Sequence, residues 1–360
     1  MLKRIMHKRE RHFAMLNDNR VVRPFEWGTE FIPGHSNGGD PAHLLAEHAR
    51  FAIEHSDEYF APPPVNDFTL ERRLYPSMAS LSAAELAKPV EQIELSVVTW
   101  QSGLTTLSPE NNTVYATYFP HENHRAAVIV LPHWNAKAGT YFDLCKFFNK
   151  VGISALRMTL PYHEERTAAG HDRADQLVSP NVGQTLQSMR QAVLDTRAAI
   201  EWLKQQGYQK IGIVGTSIGS ATAFLSFVHD PRINAAVFNH VSGYMADVVW
   251  HGLSTYHVRH GIGDNIDLDQ LREFWLPVSP MVYMPKLGAQ TPRPQRYIYT
   301  LYDLSFPVEL SRETMHALRR HKIPHSKASI PCGHYTLGEK PWVYLDGYKI
   351  IRFLHKHLRG

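Results

Sequence analysis

The fold is decided by residues 210–219, KIGIVGTSIG. The short β-branched run KIGIV leads directly into Gly215-Thr216-Ser217-Ile218-Gly219, and an apolar stretch from residue 220 to 228 follows. This order of strand, tight turn and helix displays the hydroxyl of Ser217 at the tip of the turn. The backbone N–H of Ile218 and the helix N-terminus then face any negative charge that develops on a substrate oxygen. The stretch predicts a nucleophilic Ser217 more strongly than a serine that merely occupies a turn.

A second match to G-x-S-x-G, GHSNG, lies at residues 34–38. Pro33 precedes it in place of an apolar strand, and the next predicted helix begins only at Pro41. Too few residues come before it to supply the neighbouring strands of a sheet. We therefore interpret this stretch as a Gly/Asn turn, in which Ser36 is not the nucleophile.

Strand and helix patterns alternate from about residue 91 to the end of the chain. Residues 126–131, AAVIVL, are continuously apolar, which is typical of a strand buried on both faces. The alternation predicts an α/β fold, a mostly parallel central sheet with helices on both faces. Further strands are predicted at 93–100, 113–119, 153–158, 210–214, 233–239, 296–301 and 327–330, and helices at 41–55, 140–150, 179–206, after Ser217, at 307–321 and at 342–358.

The pattern also suggests a division of the chain. Residues 1–90 lack the strand–helix alternation, and we treat them as an N-terminal accessory segment before a domain at 91–360. Residues 243–294 interrupt the alternation with a segment rich in Trp, Tyr, His and Pro, longer than an ordinary connection. We interpret it as a lid-like insertion. Its aromatic residues either roof the site or cover the sheet: Trp250, Tyr256, Trp275 and Tyr283.

Composition excludes several classes of protein. With 43% hydrophobic and 20% charged residues among 360, the chain is neither disordered nor a coiled coil. The formal net charge is +4, but residues 1–23 hold seven Lys or Arg and two acidic residues, so the rest is close to neutral. A nucleic-acid partner is not expected, because phosphate binding needs a basic stripe across a folded face. The basic start is interpreted as a frayed end, with contact to an acidic partner as the alternative.

The two cysteines, Cys145 and Cys332, are too few for a disulfide framework, although one bridge is possible. A reducing compartment, and hence a cytoplasmic location, is the expectation. Neither the apolar core of a signal peptide nor a membrane-spanning run is found in the sequence.

A serine hydroxyl needs a base, and His334 is the best candidate. It stands in Pro331-Cys332-Gly333-His334-Tyr335, directly after the last predicted strand, where Gly333 permits a sharp turn. The carboxylate that orients this histidine should lie in the loop after the preceding strand, and Asp303 stands there. The alternative role for Asp303 is that of a helix-capping or turn aspartate. Asp247, which follows the strand before that, is the substitute candidate.

With Ser217, Asp303 and His334 in this chain order, residues 91–358 resemble the α/β-hydrolase superfamily of serine esterases and lipases. The resemblance implies a second oxyanion donor in the loop after the third strand of that fold. Residues 131–135, LPHWN, stand there, so the donor would be the backbone N–H of Trp134 or Asn135. His133 either shapes this loop or packs as a structural histidine.

Other motifs give weaker signals. Residues 162–166, YHEER, either line the pocket or form a solvated charged loop. The histidines lack the spacing of a metal site, and no phosphate loop or dinucleotide fingerprint is present, so neither a metal nor another cofactor is expected. The sequence predicts a serine hydrolase that cleaves small carboxylic esters through an acyl-enzyme. The alternatives are an amidase, peptidase or acyltransferase with the same triad, or a non-catalytic interaction protein on this fold.

Overall fold

The computed structural model describes residues 2–16, 19–33, 39–76, 92–123 and 125–359. The second G-x-S-x-G match, at 34–38, lies outside the described residues. Within those residues, no helix has both the length and the apolar composition needed to cross a membrane. Cys145 and Cys332 are buried and are both free thiols.

In the part of the chain that the structure describes, nine strands form a single sheet in the order β1-β2-β3-β5-β4-β6-β7-β8-β9. The first three strands and β5 pair antiparallel, and every pair from β5 onward is parallel. Because parallel strands end at the same edge of a sheet, the loops after β4, β6, β7, β8 and β9 converge. The strands are β1 (Thr69–Pro76), β2 (Gln92–Gln101), β3 (Thr113–Phe119), β4 (Ala126–Leu131), β5 (Ser154–Met158), β6 (Lys210–Thr216), β7 (Ile233–Asn239), β8 (Gln295–Thr300) and β9 (Ser326–Ile330).

Twelve α-helices occur in the described part of the chain: α1 (Leu2–Met15), α2 (Pro41–Glu54), α3 (Ser56–Tyr59), α4 (Phe142–Lys150), α5 (Val182–Gln205), α6 (Ile218–His229), α7 (Met245–His251), α8 (Tyr256–Ile262), α9 (Leu268–Phe274), α10 (Met284–Ala289), α11 (Val308–Arg320) and α12 (Trp342–Arg359). Helices cover both faces of the sheet, as predicted. The predicted strands and the helices outside the insertion are confirmed to within about three residues at their ends.

Two hydrophobic cores explain why β4 is apolar throughout. Ala127, Ile129 and Leu131 belong to the core beneath α5 and α6, whereas the intervening residues of the strand pack into the core beneath α4 and α12. A strand covered on both sides has no face for polar side chains. The run AAVIVL is therefore the signature of a central strand.

The N-terminal segment packs on the domain. Strand β1, which the sequence did not predict, pairs with β2 and forms the edge of the main sheet. Helix α1 packs Met6 into the core beneath α12. The division of the chain at residue 90 stays a prediction.

Four short helices, α7 to α10, make up most of the insertion between β7 and β8. Trp275 and Tyr283 are buried in the main core, so these two aromatic residues cover the body of the domain. Trp250 and Tyr256 line a separate surface cavity of about 360 Å³.

Candidate active site

Ser217 lies at the turn between β6 and α6 with φ 58° and ψ −122°, a conformation that residues with side chains rarely adopt. The glycines of the motif make this turn possible. A Cβ on Gly215 would come within 2.0 Å of the carbonyl oxygen of Gly219, and one on Gly219 within 2.5 Å of the carbonyl oxygen of Leu131. Strand, turn and helix therefore approach more closely than any side chain would allow.

The backbone around Ser217 is fixed from both sides. Its N–H donates to the carbonyl of Asn239 at the end of β7 (2.8 Å), and its carbonyl accepts from the hydroxyl of Ser220 (2.6 Å). The side chain lines a cavity of about 1010 Å³. Among the described residues, no hydrogen bond engages its Oγ, so the hydroxyl is available to a ligand.

Asp303 follows β8 and is buried, with 5% of its surface exposed. Both oxygens of its carboxylate accept hydrogen bonds. Its Oδ1 accepts the backbone N–H groups of Ser305 (2.8 Å) and Phe306 (2.7 Å). Its Oδ2 accepts the hydroxyl of Thr300 (3.0 Å) and lies 3.2 Å from Nδ1 of His334. The carboxylate is therefore held in one orientation.

The pairing with Asp303 sets the tautomer of His334. Since a carboxylate only accepts, Nδ1 of His334 carries the proton and Nε2 is left as the acceptor. The ring stacks on Phe306 with centroids 5.4 Å apart and an interplanar angle of 3°, which fixes its plane. His334 and Ser217 line the same cavity.

A residue that the sequence analysis did not select also reaches Asp303. His240, directly after β7, donates from Nδ1 to the same Oδ2 at 2.9 Å. It is 1% exposed, and its ring centroid lies 4.6 Å from that of His334. One signal in the sequence pointed to His240: it directly follows a predicted parallel strand. In a chain with 22 histidines, a histidine at such a position can arise by chance, so this signal alone did not select it.

Burial alone would raise the pKa of Asp303, but the charge of His334 and the hydrogen bonds from both histidines hold it well below its ordinary value. Burial alone would lower the pKa of His334, but the charge of Asp303 and the hydrogen bond to it raise that pKa above its usual 6.5. For His240 burial prevails, followed by repulsion from His334, and its pKa is lowered. The cluster thus favours an ionised Asp303 next to one basic and one weakly basic imidazole.

The loop after β4 also lines the cavity, through His133, Trp134 and Asn135. The N–H of Asn135 donates to Nε2 of His163 at 2.8 Å, and Nδ1 of His163 lies 2.9 Å from the carbonyl of Pro161. Burial lowers the pKa of His163 to about 3, so the ring stays neutral and accepts this N–H at Nε2. The N–H of Trp134 has no acceptor among the described residues. Of the two predicted donors, only Trp134 is therefore available to an oxyanion.

Buried polar side chains hold this loop from below. Arg157 donates from Nε to the carbonyl of Thr140 (3.2 Å) and pairs with Glu164 at 2.5 Å. Tyr162, His163 and Arg166 are also buried, whereas Glu164 and Glu165 are partly exposed. None of residues 162–166 lines the cavity. His133 lines the cavity and lies 2.9 Å from the hydroxyl of Tyr141, and burial lowers its pKa to about 4.

Other candidates lie elsewhere. Asp247 pairs with Arg272 through two hydrogen bonds of 2.6 and 3.0 Å, which leaves Asp303 as the carboxylate paired with His334. The insertion reaches the cavity through Met245, Val248, Ser254, Thr255 and Pro280. The four aromatic residues considered as a roof, Trp250, Tyr256, Trp275 and Tyr283, do not line it.

The fold brings together three side chains that could hold a metal ion, although their positions in the sequence do not form a metal-binding motif. Among the described residues, His240, Asp303 and His334 form a group whose potential ligand atoms all lie within 4.8 Å of one another. The two histidines already donate to the carboxylate, so hydrogen bonding accounts for the arrangement.

The fold has known relatives. The sequence matches no family model, and no curated protein matches it. In structure, it is similar to an acetyl xylan esterase from Paenibacillus sp. R4, with a TM-score of 0.56, 14% identity and coverage of 91% of this chain and 99% of that one.

Two peptidases are also similar in structure. An acylaminoacyl peptidase from Pyrococcus horikoshii has a TM-score of 0.53 at 13% identity, over 80% of this chain and 41% of that one. A puromycin-hydrolysing peptidase from Mycobacterium tuberculosis has a TM-score of 0.55 at 15% identity, over 75% of this chain and 44% of that one. The chain spans less than half the length of either peptidase. From the sheet order, the strand–turn–helix at Ser217 and these similarities, the chain has the fold of the α/β-hydrolase superfamily.

Proposed function

We propose that this protein is a serine hydrolase that cleaves carboxylic esters through an acyl-enzyme on Ser217. One observation carries the proposal. Ser217, on its tight turn, and His334, whose Nδ1 is paired with the buried Asp303, open onto one cavity. A nucleophile, a base of defined tautomer and an orienting carboxylate are the parts that acyl transfer requires.

In the first half-reaction, Nε2 of His334 takes the proton of Ser217 as Oγ attacks the ester carbonyl carbon. The N–H groups of Ile218 and Trp134 stabilise the negative oxygen of the tetrahedral intermediate. The C–O bond to the alcohol then breaks, and His334 returns the proton to the departing oxygen. Ser217 is left as an ester of the acyl group.

In the second half-reaction, His334 deprotonates a water molecule that attacks the acyl-enzyme. The tetrahedral intermediate collapses to release the carboxylic acid, and His334 gives its proton back to Ser217. Asp303 stays ionised throughout and stabilises the imidazolium that forms twice in each cycle.

The lining of the cavity supports a small ester with an apolar group as substrate. Its volume of about 1010 Å³ is at the upper end of the range of small-molecule sites, about 300–1,000 Å³. Its walls include apolar side chains from α6, α7 and the loop after β8: Ile218, Ala221, Met245, Val248 and Phe306.

Labelling with a fluorophosphonate probe tests the assignment. The wild-type protein and Ser36→Ala, which alters the other G-x-S-x-G match, should both react, whereas Ser217→Ala should not. Labelling of Ser217→Ala at the wild-type rate would overturn the proposal. Paired p-nitrophenyl esters and anilides then separate ester from amide cleavage, and faster turnover of the anilides would identify an amidase instead.

A further inference from the structure

Glu10 is a buried carboxylate outside the predicted triad. It lies on α1 and is 0% exposed. Its carboxylate accepts the backbone N–H of Tyr335 (3.1 Å) and both the N–H and the hydroxyl of Thr336 (2.8 Å each). Burying a charge is costly unless hydrogen bonds compensate for it, and these three donors come from the two residues that follow His334.

The packing of Glu10 explains Gly333. A Cβ at residue 333 would lie 2.2 Å from Cδ of Glu10 and 2.5 Å from its Oε1. The φ of Gly333 is not in the left-handed region, so the sharp turn expected from the sequence is not the reason for this glycine. Glycine is needed because the Glu10 side chain occupies the space next to the His334 loop.

Three further contacts fix α1 and the chain after it near the site. Nη2 of Arg9 donates to both carboxylate oxygens of Glu339, at 2.6 and 2.7 Å. Arg20 donates to the hydroxyl of Tyr335 and to the carbonyl of Ala14, both at 2.8 Å. Phe13, Ala14 and Leu16 line the same cavity as Ser217. The described residues of the basic start thus form one wall of the cavity rather than a frayed end.

We propose that Glu10 is a positioning residue for His334: it holds the His334 loop through three hydrogen bonds and places a second negative charge, besides Asp303, near the imidazole. The inference rests on the proposed function, because it assigns Glu10 a part in the same proton transfers. It also gives the N-terminal segment a role in catalysis.

The charge of Glu10 acts in the same direction as that of Asp303. After the effects of burial and of Asp303, it is a further cause that raises the pKa of His334. Titratable and charged groups reach His334 or its cavity from several elements. Those that act on the pKa of His334 or interact with it are Asp303 after β8, His240 after β7, His133 after β4 and Glu10 on α1. Others line the same cavity: Arg20, Lys137, Tyr141, Asp143, Arg173, Tyr335 and Asp346.

Glu10→Gln tests the inference because it keeps the length of the side chain and removes its charge. A base works in its neutral form, so the acid limb of kcat/KM against pH should move to lower pH, by about half a unit. The rate at the plateau should fall about tenfold, because the Gln amide cannot accept all three donors. Glu339→Gln is the matched control, since it breaks the exposed ion pair of the same helix, and its pH profile should equal that of the wild type.

A purely structural role makes a different prediction. If Glu10→Gln lowered the melting temperature but left the pH profile and plateau unchanged, the inference would be wrong. Should Glu10→Gln fail to fold, Glu10→Asp keeps the charge with a shorter reach; we expect an acid limb near that of the wild type with a lower kcat, and an unchanged kcat would overturn the inference. If the wild-type protein is labelled by the fluorophosphonate probe at Ser217, the proposed hydrolase holds, and a negative result with the Glu10 variants then bears on Glu10 alone.

Discussion

The imidazole rings of His240 and His334 lie with centroids 4.6 Å apart and direct their Nδ1 atoms at one oxygen of Asp303. With the hydroxyl of Thr300, that oxygen accepts three hydrogen bonds, and the other carboxylate oxygen accepts two from the backbone. A carboxylate with five donors is rigid and stays ionised. The two histidines paired with Asp303 differ in basicity: the pKa of His334 is raised, whereas burial lowers that of His240.

The choice between the two candidate acids can be tested directly. Asp303→Asn should lower kcat by about 10³- to 10⁴-fold, because an amide cannot hold His334 in the tautomer that leaves Nε2 unprotonated. Asp247→Asn breaks only the pair with Arg272, so its kcat should stay within about twofold of the wild type. Steady-state kinetics on one ester decides the matter, and a loss of turnover in Asp247→Asn alone would reverse the assignment.

If His334 is the base, as proposed, its raised pKa should set the pH dependence of activity in the wild-type protein. The base acts when neutral, so kcat/KM should rise with pH and reach half its plateau above pH 6.5, the ordinary value for histidine. A pH series of kcat/KM with an uncharged ester measures this midpoint. A midpoint below 6 would contradict the geometry of the His334–Asp303 pair.

His240 can be tested with a pair of variants. His240→Ala removes one donor from Asp303, so more of the carboxylate charge acts on His334 and the acid limb should move to higher pH, opposite to the shift expected for Glu10→Gln. The plateau of kcat should fall about tenfold, because the ring against His334 is lost.

His240→Asn is the matched control for that experiment. Asn tolerates the left-handed backbone at φ 59° and can place an N–H where Nδ1 was. Its acid limb should stay close to that of the wild type. Identical pH profiles for the Ala variant and the wild type would show that His240 has no influence on the base.

The contact between His163 and Asn135 fixes the loop that carries the proposed oxyanion donor, the N–H of Trp134. His163→Phe keeps a ring in the buried site but leaves the Asn135 N–H without its acceptor, which costs about 1–3 kcal/mol of stability. The loop that carries the Trp134 N–H should then be less well placed, so kcat should fall more than KM rises. Thermal unfolding and ester kinetics measure both effects, and an unchanged kcat would argue against Trp134 as a donor.

Asp346 should make the protein less stable at alkaline pH. It lines the cavity, and burial raises its pKa to about 7 despite a 2.8 Å hydrogen bond from Asn239. A carboxyl group with a raised pKa binds its proton more tightly in the folded state, so its contribution to stability falls as pH rises from about 4 to 7.

Asp346→Asn removes that titration. The variant should unfold at a higher temperature than the wild type at pH 8, with a gain in free energy of unfolding of up to about 4 kcal/mol, and show little change near pH 4. Thermal melts at the two pH values give the answer. An equal effect at both would mean that Asp346 is ionised in the folded protein throughout.

Local chemistry in the sequence was enough to predict the framework. The run AAVIVL at 126–131 has no polar face, so it had to be a central strand. The motif Gly215, Ser217 and Gly219 stands between an apolar strand and an apolar helix, and this local context predicted the tight turn. Ser217, Asp303 and His334 each follow a parallel strand, β6, β8 and β9, and their convergence could be expected because parallel strands end at one edge of a sheet.

The tertiary structure decided what depends on distant contacts. Glu10 and Thr336 are 326 residues apart, and no periodicity in a basic segment indicates that one acidic residue will be buried against a loop near the other end of the chain. His240 became part of the cluster only when β7 and β8 paired. The choice of Trp134 over Asn135 depended on where His163 lies. Each of these contacts is a hydrogen bond between residues that packing brings together. The energy of such a bond depends on the distance between its atoms, and that distance cannot be read from the positions of the residues in the sequence.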